Sequence, residues 1–385
     1  MSSAAGAALE LGACARLALE TILRKPTEGI PTGALINIME HAQIERLAGL
    51  PAGSYRQRPE ETYLAMQRAI GTCMIDQWIP TNPLKMDQGG LHDAEPGATT
   101  GAERIECDGM LIDSPEAAAE HLEKFEFPRL EKAIAEFDED ARVRELLDRE
   151  REVQAELGPN ILKAAHGGMV NFPRLAYGRY GYVNYFCAYA LYEDVVARHF
   201  KLQADLTLLR NRAAARAYRE GGLPPYCRLD HDMADSRSTL VDIDSLDRIW
   251  FPEFARCIQP VVEAGIELIW HCDGNLSQML PRLLDCGLRG FQGFQYEDGM
   301  DYERICRMKT RDGDSLLIVA GVSVTRTLPL GTPADVRKEM KWLVENGPET
   351  GLFLAASSSV APGVPPENLD AFVEGLKHYR EHGRN

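Results

Sequence analysis

The sequence predicts an α/β fold assembled from consecutive βα units, and three observations carry that prediction. Strand-like apolar runs begin near residues 266, 290, 315 and 351, helical segments separate them, and the connections are short. Four such units in succession fit half of a (β/α)8 barrel, and fit a doubly wound parallel sheet equally well. The chain has 385 residues, 45% of them hydrophobic, and α/β barrels of this size run as one unit.

Each element has its own signal. In the N-terminal half, residues 34–38 and 74–79 read as strands, with a helix over 60–70 between them. Residues 86–107 are rich in Gly, Asp and Thr and read as a loop or hairpin. Residues 116–125 and 129–156 are strongly charged and helical, a solvated insertion at about 110–160. Residues 226–229 form the next strand, running into Asp230-His231-Asp232. The run 265–271 is β-type, followed by a helix over 276–286 that Gly287 stops. A strand over 290–295 and a helix over 302–308 come next. The run 315–320 leads to a helix over 333–345, with Thr332 as N-cap and Pro333 in the first turn. A strand over 351–356 and an amphipathic helix over 367–378 end the chain.

Composition narrows the function. Lys+Arg number 42 against 58 Asp+Glu, a formal charge of −16, which gives the chain no general affinity for nucleic acid or anionic lipid. No apolar run reaches the roughly 18 residues of a membrane span, and residues 1–11 lack the basic start of a secretory signal. Nine cysteines without a CxxC pair are not a disulfide framework. A cytoplasmic protein with neither membrane nor nucleic-acid partner is expected.

Ligands of parallel βα folds sit beyond the carboxyl ends of the strands. Followed to their ends, the strands give Asp230-His231-Asp232, then His271-Cys272-Asp273-Gly274-Asn275, then Gln295-Tyr296-Glu297-Asp298, then Ser323, then Ser357-Ser358-Ser359. Residues two apart on an extended chain share a side, so His271 and Asp273 face one pocket and Cys272 turns into the wall. Imidazole plus carboxylate starts a zinc site or pairs a general acid with its orienting base. The plainer alternative is a hydrogen-bonded histidine ending a strand, with Asp273 capping the next helix. Asp230 and Asp232 likewise share a side, as substrate or metal ligands or as caps. Glu297 and Asp298 precede Gly299 and read as a site or as a turn. Tyr177, Tyr180, Tyr182, Tyr185, Phe186 and Tyr189 form a buried helix face in preference to a stacking wall for an aromatic ligand.

The segments His271-x-Asp273-Gly274-Asn275, G-L-R-G-F at 287–291, L-P-L-G-T-P ending at Pro333 and P-P-E-N ending at Asn368 together resemble the uroporphyrinogen decarboxylase superfamily. Asp230–Asp232 followed by Trp250-Phe251-Pro252 fits the same pattern, and the resemblance runs from about Tyr226 to the C-terminus. It implies a (β/α)8 TIM barrel with an N-terminal extension and the charged helical insertion, a single domain over 1–385. True decarboxylases of this superfamily carry an arginine-rich N-terminal segment that binds substrate carboxylates; here residues 31–43 contain no arginine.

The resemblance is closest in character to the cobalamin-dependent methyltransferases. Many of these bind zinc through His-x-Cys and a later Cys. His271 matches the histidine, Asp273 stands at the first cysteine and Ser358 at the second, a harder, more oxygen-seeking set than thiolates. What the resemblance then implies is demethylation of a small methylated, methoxylated substrate, the methyl group passing to cobalamin presented by a separate corrinoid protein. In that reading His271, Asp273, Asp230 and Asp232 are catalytic. His271, Asp273 and Glu297 hold zinc, and Ser358 and Asn275 face the cofactor. A homodimer is the expected assembly. A decarboxylase-like lyase, or a barrel that binds a small molecule without turnover, are the alternatives.

Overall fold

The computed structural model describes residues 10–34, 36–85, 105–293 and 295–385. Among these, the strands are β1 (Met74–Ile75), β2 (Glu106–Cys107), β3 (Met110–Leu111), β4 (Leu162–Lys163), β5 (Ala165–His166), β6 (Tyr226–Asp230), β7 (Glu267–His271), β8 (Gly290–Gln292), β9 (Leu317–Val322) and β10 (Leu352–Ala356). Strands β5 to β10 form one parallel six-stranded sheet in sequence order, a half-barrel. Helices Phe251–Glu263, Leu280–Cys286, Tyr302–Arg307 and Pro333–Asn346 connect them, and Pro366–His382 follows β10.

Both edges of this sheet carry further extended chain. β4 lies one residue before β5 and pairs with β1. At the other edge, the Leu354 amide donates to Pro31 O at 3.0 Å and the Gly33 amide to Leu354 O at 3.1 Å. The Cys73 amide donates to Thr32 O at 2.8 Å. Residues 31–33 are therefore bonded to β10 on one side and to the start of β1 on the other. Regular strand over 34–38 is replaced by single bridges at Thr32 and Ile38, and the expected strand 74–79 stops at Ile75.

Sheet register decides which side chains reach the mouth. Asp230 pairs with His271 and His271 with Gln292, while Arg228 pairs with Ile269. Alternation then sends Arg228, Asp230, His271 and Gln292 to one face, and Leu268 and Trp270 to the other. Trp270 packs among Phe172, Phe254 and Trp250, with ring centroids 5.1, 5.7 and 6.0 Å away. This aromatic cluster seals β7 against the helix layer.

The insertion is helical as expected, but it is not solvated throughout. Helices Pro115–His121, Phe127–Ala135 and Glu139–Leu157 occur there, the last capped by the Asp138 carboxylate, which accepts from the Ala141 amide at 2.9 Å. Val143, Leu146 and Leu147 are buried where this helix packs on the 29-residue helix Glu193–Gly221, an element absent from the sequence reading. Helix Tyr182–Leu191 buries Tyr185 and Tyr189.

Of the loop or hairpin expected at 86–107, residues 86–104 lie outside the described residues. Its end is a hairpin: β2 and β3 pair antiparallel across Asp108-Gly109, both at positive φ (49° and 78°), as a two-residue turn of this type requires. Asp108 also accepts from His121 Nε2 at 3.0 Å, from Arg129 at 2.9 Å and from Arg179 at 3.0 Å. Among the described residues, no helix is long and apolar enough to cross a membrane.

Candidate active site at the carboxyl ends of the strands

The half-barrel gathers Asp230, Asp232 and His271 so that one ligand atom from each lies within 4.8 Å of the others. His271 is buried and its Nδ1 has no partner, so an imidazole nitrogen is left to meet a ligand. Gly293 lies against that same nitrogen: a Cβ there would stand 2.4 Å from His271 Nδ1, so only glycine leaves space at it. Asp230 is held by Arg228 Nη1 at 3.2 Å and His166 Nε2 at 3.4 Å. Burial works against its ionised form, but the His166 bond and the His271 and Arg228 charges outweigh it and hold Asp230 well below the usual carboxylate range.

Beneath the trio lies a buried ion pair. Arg228 Nε and Nη2 donate to the two Asp76 oxygens at 2.7 and 3.1 Å, and both side chains are fully buried. The fork geometry fixes Arg228 so that its remaining nitrogen faces Asp230.

Asp273 stands beside the trio. Its amide donates to Asp232 Oδ1 at 3.2 Å, Ser358 Oγ lies 3.5 Å from its Oδ2, and its Oδ1 is buried without a partner. Burial pushes its carboxyl above the ordinary range, and the Asp232 and Asp230 charges add to the effect while His271 opposes it. Cys272 faces the wall, where its Sγ accepts from the Met233 amide at 3.3 Å and burial pushes its thiol far up. Asn275 Oδ1 accepts from the Ser277 amide at 3.1 Å, so that part of it shapes the turn leaving β7. Glu297 Oε1 accepts from Ser323 Oγ and Thr325 Oγ1, both at 2.6 Å, while its Oε2 is buried without a partner. Among the described residues, neither Asp273 nor Glu297 belongs to the cluster that can share one ion with His271; Asp230 and Asp232 do.

The aromatic run divides between two jobs. Tyr180, Tyr185 and Tyr189 are buried, whereas Tyr177, Tyr182 and Phe186 stay partly exposed beside the site. The Tyr177 ring stacks on His231 at 5.6 Å and 7°, and its hydroxyl donates to Asp232 O at 2.9 Å. Tyr182 and Phe186 continue the pile at 4.8 and 5.8 Å from Tyr177.

Asp76, His166, Arg228 and Gln292 were missed by sequence reasoning. Arg228 was within reach, since it stands two before Asp230 on the same side of the strand. Asp76 is hidden by a strand drawn four residues too long, and His166 by a pair of two-residue strands with no periodicity to find.

A second cluster, Asp108, His121 and Glu126, also brings three ligand atoms within 4.8 Å. Arg129 and Arg179 already bind both of its carboxylates, which makes it a salt-bridge knot.

Comparison with known proteins bears on the fold. A search of curated proteins finds none that matches. Among solved structures, a methyltransferase from Methanosarcina mazei aligns over 95% of this chain and 98% of its own, with a TM-score of 0.55 and 15% sequence identity, a likeness of fold. The family model described as uroporphyrinogen decarboxylase matches residues 232–379, which hold Asp232, His271, Asp273 and Ser358. Over that segment the chain matches the uroporphyrinogen decarboxylase family model, and a methyltransferase is among the solved structures that share its fold.

Proposed function

We propose that this protein is a corrinoid-dependent methyltransferase that takes a methyl group from a small methoxylated substrate and passes it to a corrinoid held by a separate protein. The reading includes closure of the half-barrel into a (β/α)8 ring, with 31–38 as first strand, β1 as second, and β4 with β5 as third. The observation that carries it is the trio of Asp230, Asp232 and His271 at the mouth.

The donor set fits a metal. Two carboxylates and an imidazole whose ligand atoms lie within 4.8 Å of one another are three nitrogen and oxygen donors that would hold a zinc ion. When bound, zinc supplies Lewis-acid activation of the substrate oxygen. The chain does the rest. Arg228 and His166 fix Asp230, the Asp273 amide fixes Asp232, and Gly293 leaves room for the His271 ring. As the methyl carbon–oxygen bond breaks, its electron pair stays on the oxygen, and the Asp273 carboxyl stands beside it to deliver a proton. Tyr177, Tyr182 and Phe186 wall one side and keep water out. A decarboxylase-like reading needs cations free to hold substrate carboxylates, and the guanidinium beneath this site is taken up by Asp76 and Asp230.

The test is metal content with methyl transfer. Purified protein supplied with zinc is expected to retain about one equivalent, and His271→Ala to lose it. Transfer from methoxylated substrates to reduced cobalamin should fall at least ~100-fold in His271→Ala and Asp232→Asn. Full transfer by either folded variant would falsify the assignment.

A further inference from the structure

Away from the trio, the loop after β5 and the helix Glu193–Gly221 enclose a cleft of about 180 Å³. Its lining includes Arg174, Arg210, Thr207, Asn171 and Gln203, and no carboxylate. Drug-sized ligands and cofactors occupy about 300–1,000 Å³, so this cleft suits a smaller guest.

The charge balance there is unusual for a chain of net charge −16. Among the described residues, neither the Arg174 nor the Arg210 guanidinium has an ion pair or hydrogen bond; Arg174 lies over the Phe172 ring at 5.0 Å. Glu145, an acid that bears on Arg210, is already bound by Arg142 at 2.7 Å. Arg210 is half-buried, and burial together with the Arg142 charge lowers its pKa. His199 meets the cleft through Gln203, whose Nε2 lies 3.3 Å from its ring. Two planar, donor-only forks without acids, with the Asn171 amide beside them, are recognition groups for an oxyanion.

We propose that this cleft is a binding site for a phosphate-sized oxyanion: inorganic phosphate or the phosphoryl group of a small ester. The guest supplies the negative charge that the lining lacks, with Arg174 and Arg210 as its principal ligands and the Asn171 side-chain amide as a neutral donor.

The experiment is calorimetric titration of the full-length protein with inorganic phosphate, glycerol phosphate and acetate at matched ionic strength. Inorganic phosphate is expected to bind saturably, one per chain, with acetate at least tenfold weaker. Arg174→Gln and Arg210→Gln should each weaken phosphate about tenfold or more, equivalent to 1.4 kcal/mol. Tighter binding of glycerol phosphate would support an ester as the natural guest, and weaker binding the free ion. The double variant Arg212→Gln, Arg219→Gln, on a separate groove of the same helix, should bind like wild type. Absence of saturable binding by wild type overturns the proposal. So does wild-type affinity in the folded Arg174→Gln, Arg210→Gln double variant, or an equal loss in the Arg212, Arg219 control.

Discussion

Arg228 occupies a place where parallel barrels ordinarily put a branched aliphatic side chain. A guanidinium is tolerated there because Asp76 meets it with two parallel bonds, and its worth lies in what the third nitrogen does to Asp230. Removing one partner of such a pair leaves a charge buried without compensation, which costs about 3–5 kcal/mol. Arg228→Met should therefore lose about that much in urea unfolding. The double change Asp76→Leu, Arg228→Met should lose clearly less than the two single losses added together. Strict additivity would mean that the two charges do not depend on each other. The strand-end rule found Asp230, Asp232, His271 and Asp273 in the sequence because side-chain alternation needs no tertiary information. Asp76 and Arg228 escaped it because their pairing joins residues 152 positions apart, and nothing local announces such a partner.

At the scale of elements, the Thr332 N-cap of helix Pro333–Asn346 was legible, and the structure completes it as a capping box: the Thr332 hydroxyl accepts from the Asp335 amide, and the Thr332 amide donates to the Asp335 carboxylate at 2.9 Å. The same helix carries a residue whose role could not be read. Glu339 Oε1 accepts from the Ser323 amide at 2.8 Å, tying the helix to the end of β9, and burial raises its carboxyl to about 7. A carboxyl raised in the folded state favours folding while protonated. Its contribution is therefore full below the unfolded value near 4.5 and is lost as pH rises through 7. Glu339→Gln keeps the acceptor and removes the titration. It should gain on the order of 1 kcal/mol over wild type at pH 8, after discounting for partial exposure, and nothing at pH 4. Equal stabilities at both pH values would show that Glu339 is solvated in the folded state. Helix Glu193–Gly221 went unread because its buried positions include Asn211, His199 and Thr207 among charged neighbours, which blunts the apolar stripe on which period reading depends.

For the molecule as a whole, the order of βα units from residue 226 onward was plain in the sequence, since each parallel strand is a short apolar run bounded by a helix. The N-terminal part was not, because its extended segments are two-residue strands and single bridges held by their neighbours. Their hydrogen bonds to β10 and β1 make a specific demand on exchange. If the sheet closes into a ring in solution, the Gly33, Cys73 and Leu354 amides should exchange with solvent as slowly as those of β9, at least ~100-fold slower than the exposed turn at Asp108-Gly109. Exchange at loop rates would leave the barrel open between 31–34 and β10.

Asp108 has a further consequence. One exposed carboxylate at a hairpin tip fastens Arg129 of the insertion and Arg179 of the short helix Tyr177–Tyr180, which also bears the tyrosine stacked on His231. The rim over the mouth is thus tethered by charges in contact with solvent, where dissolved ions compete for each of them and the reach of a charge shrinks to about 8 Å at physiological ionic strength. Of the trio beneath, His271 is buried while Asp232 is exposed and meets the same ions. Salt should therefore loosen the doorway first and reach the chemistry inside only through its outermost carboxylate.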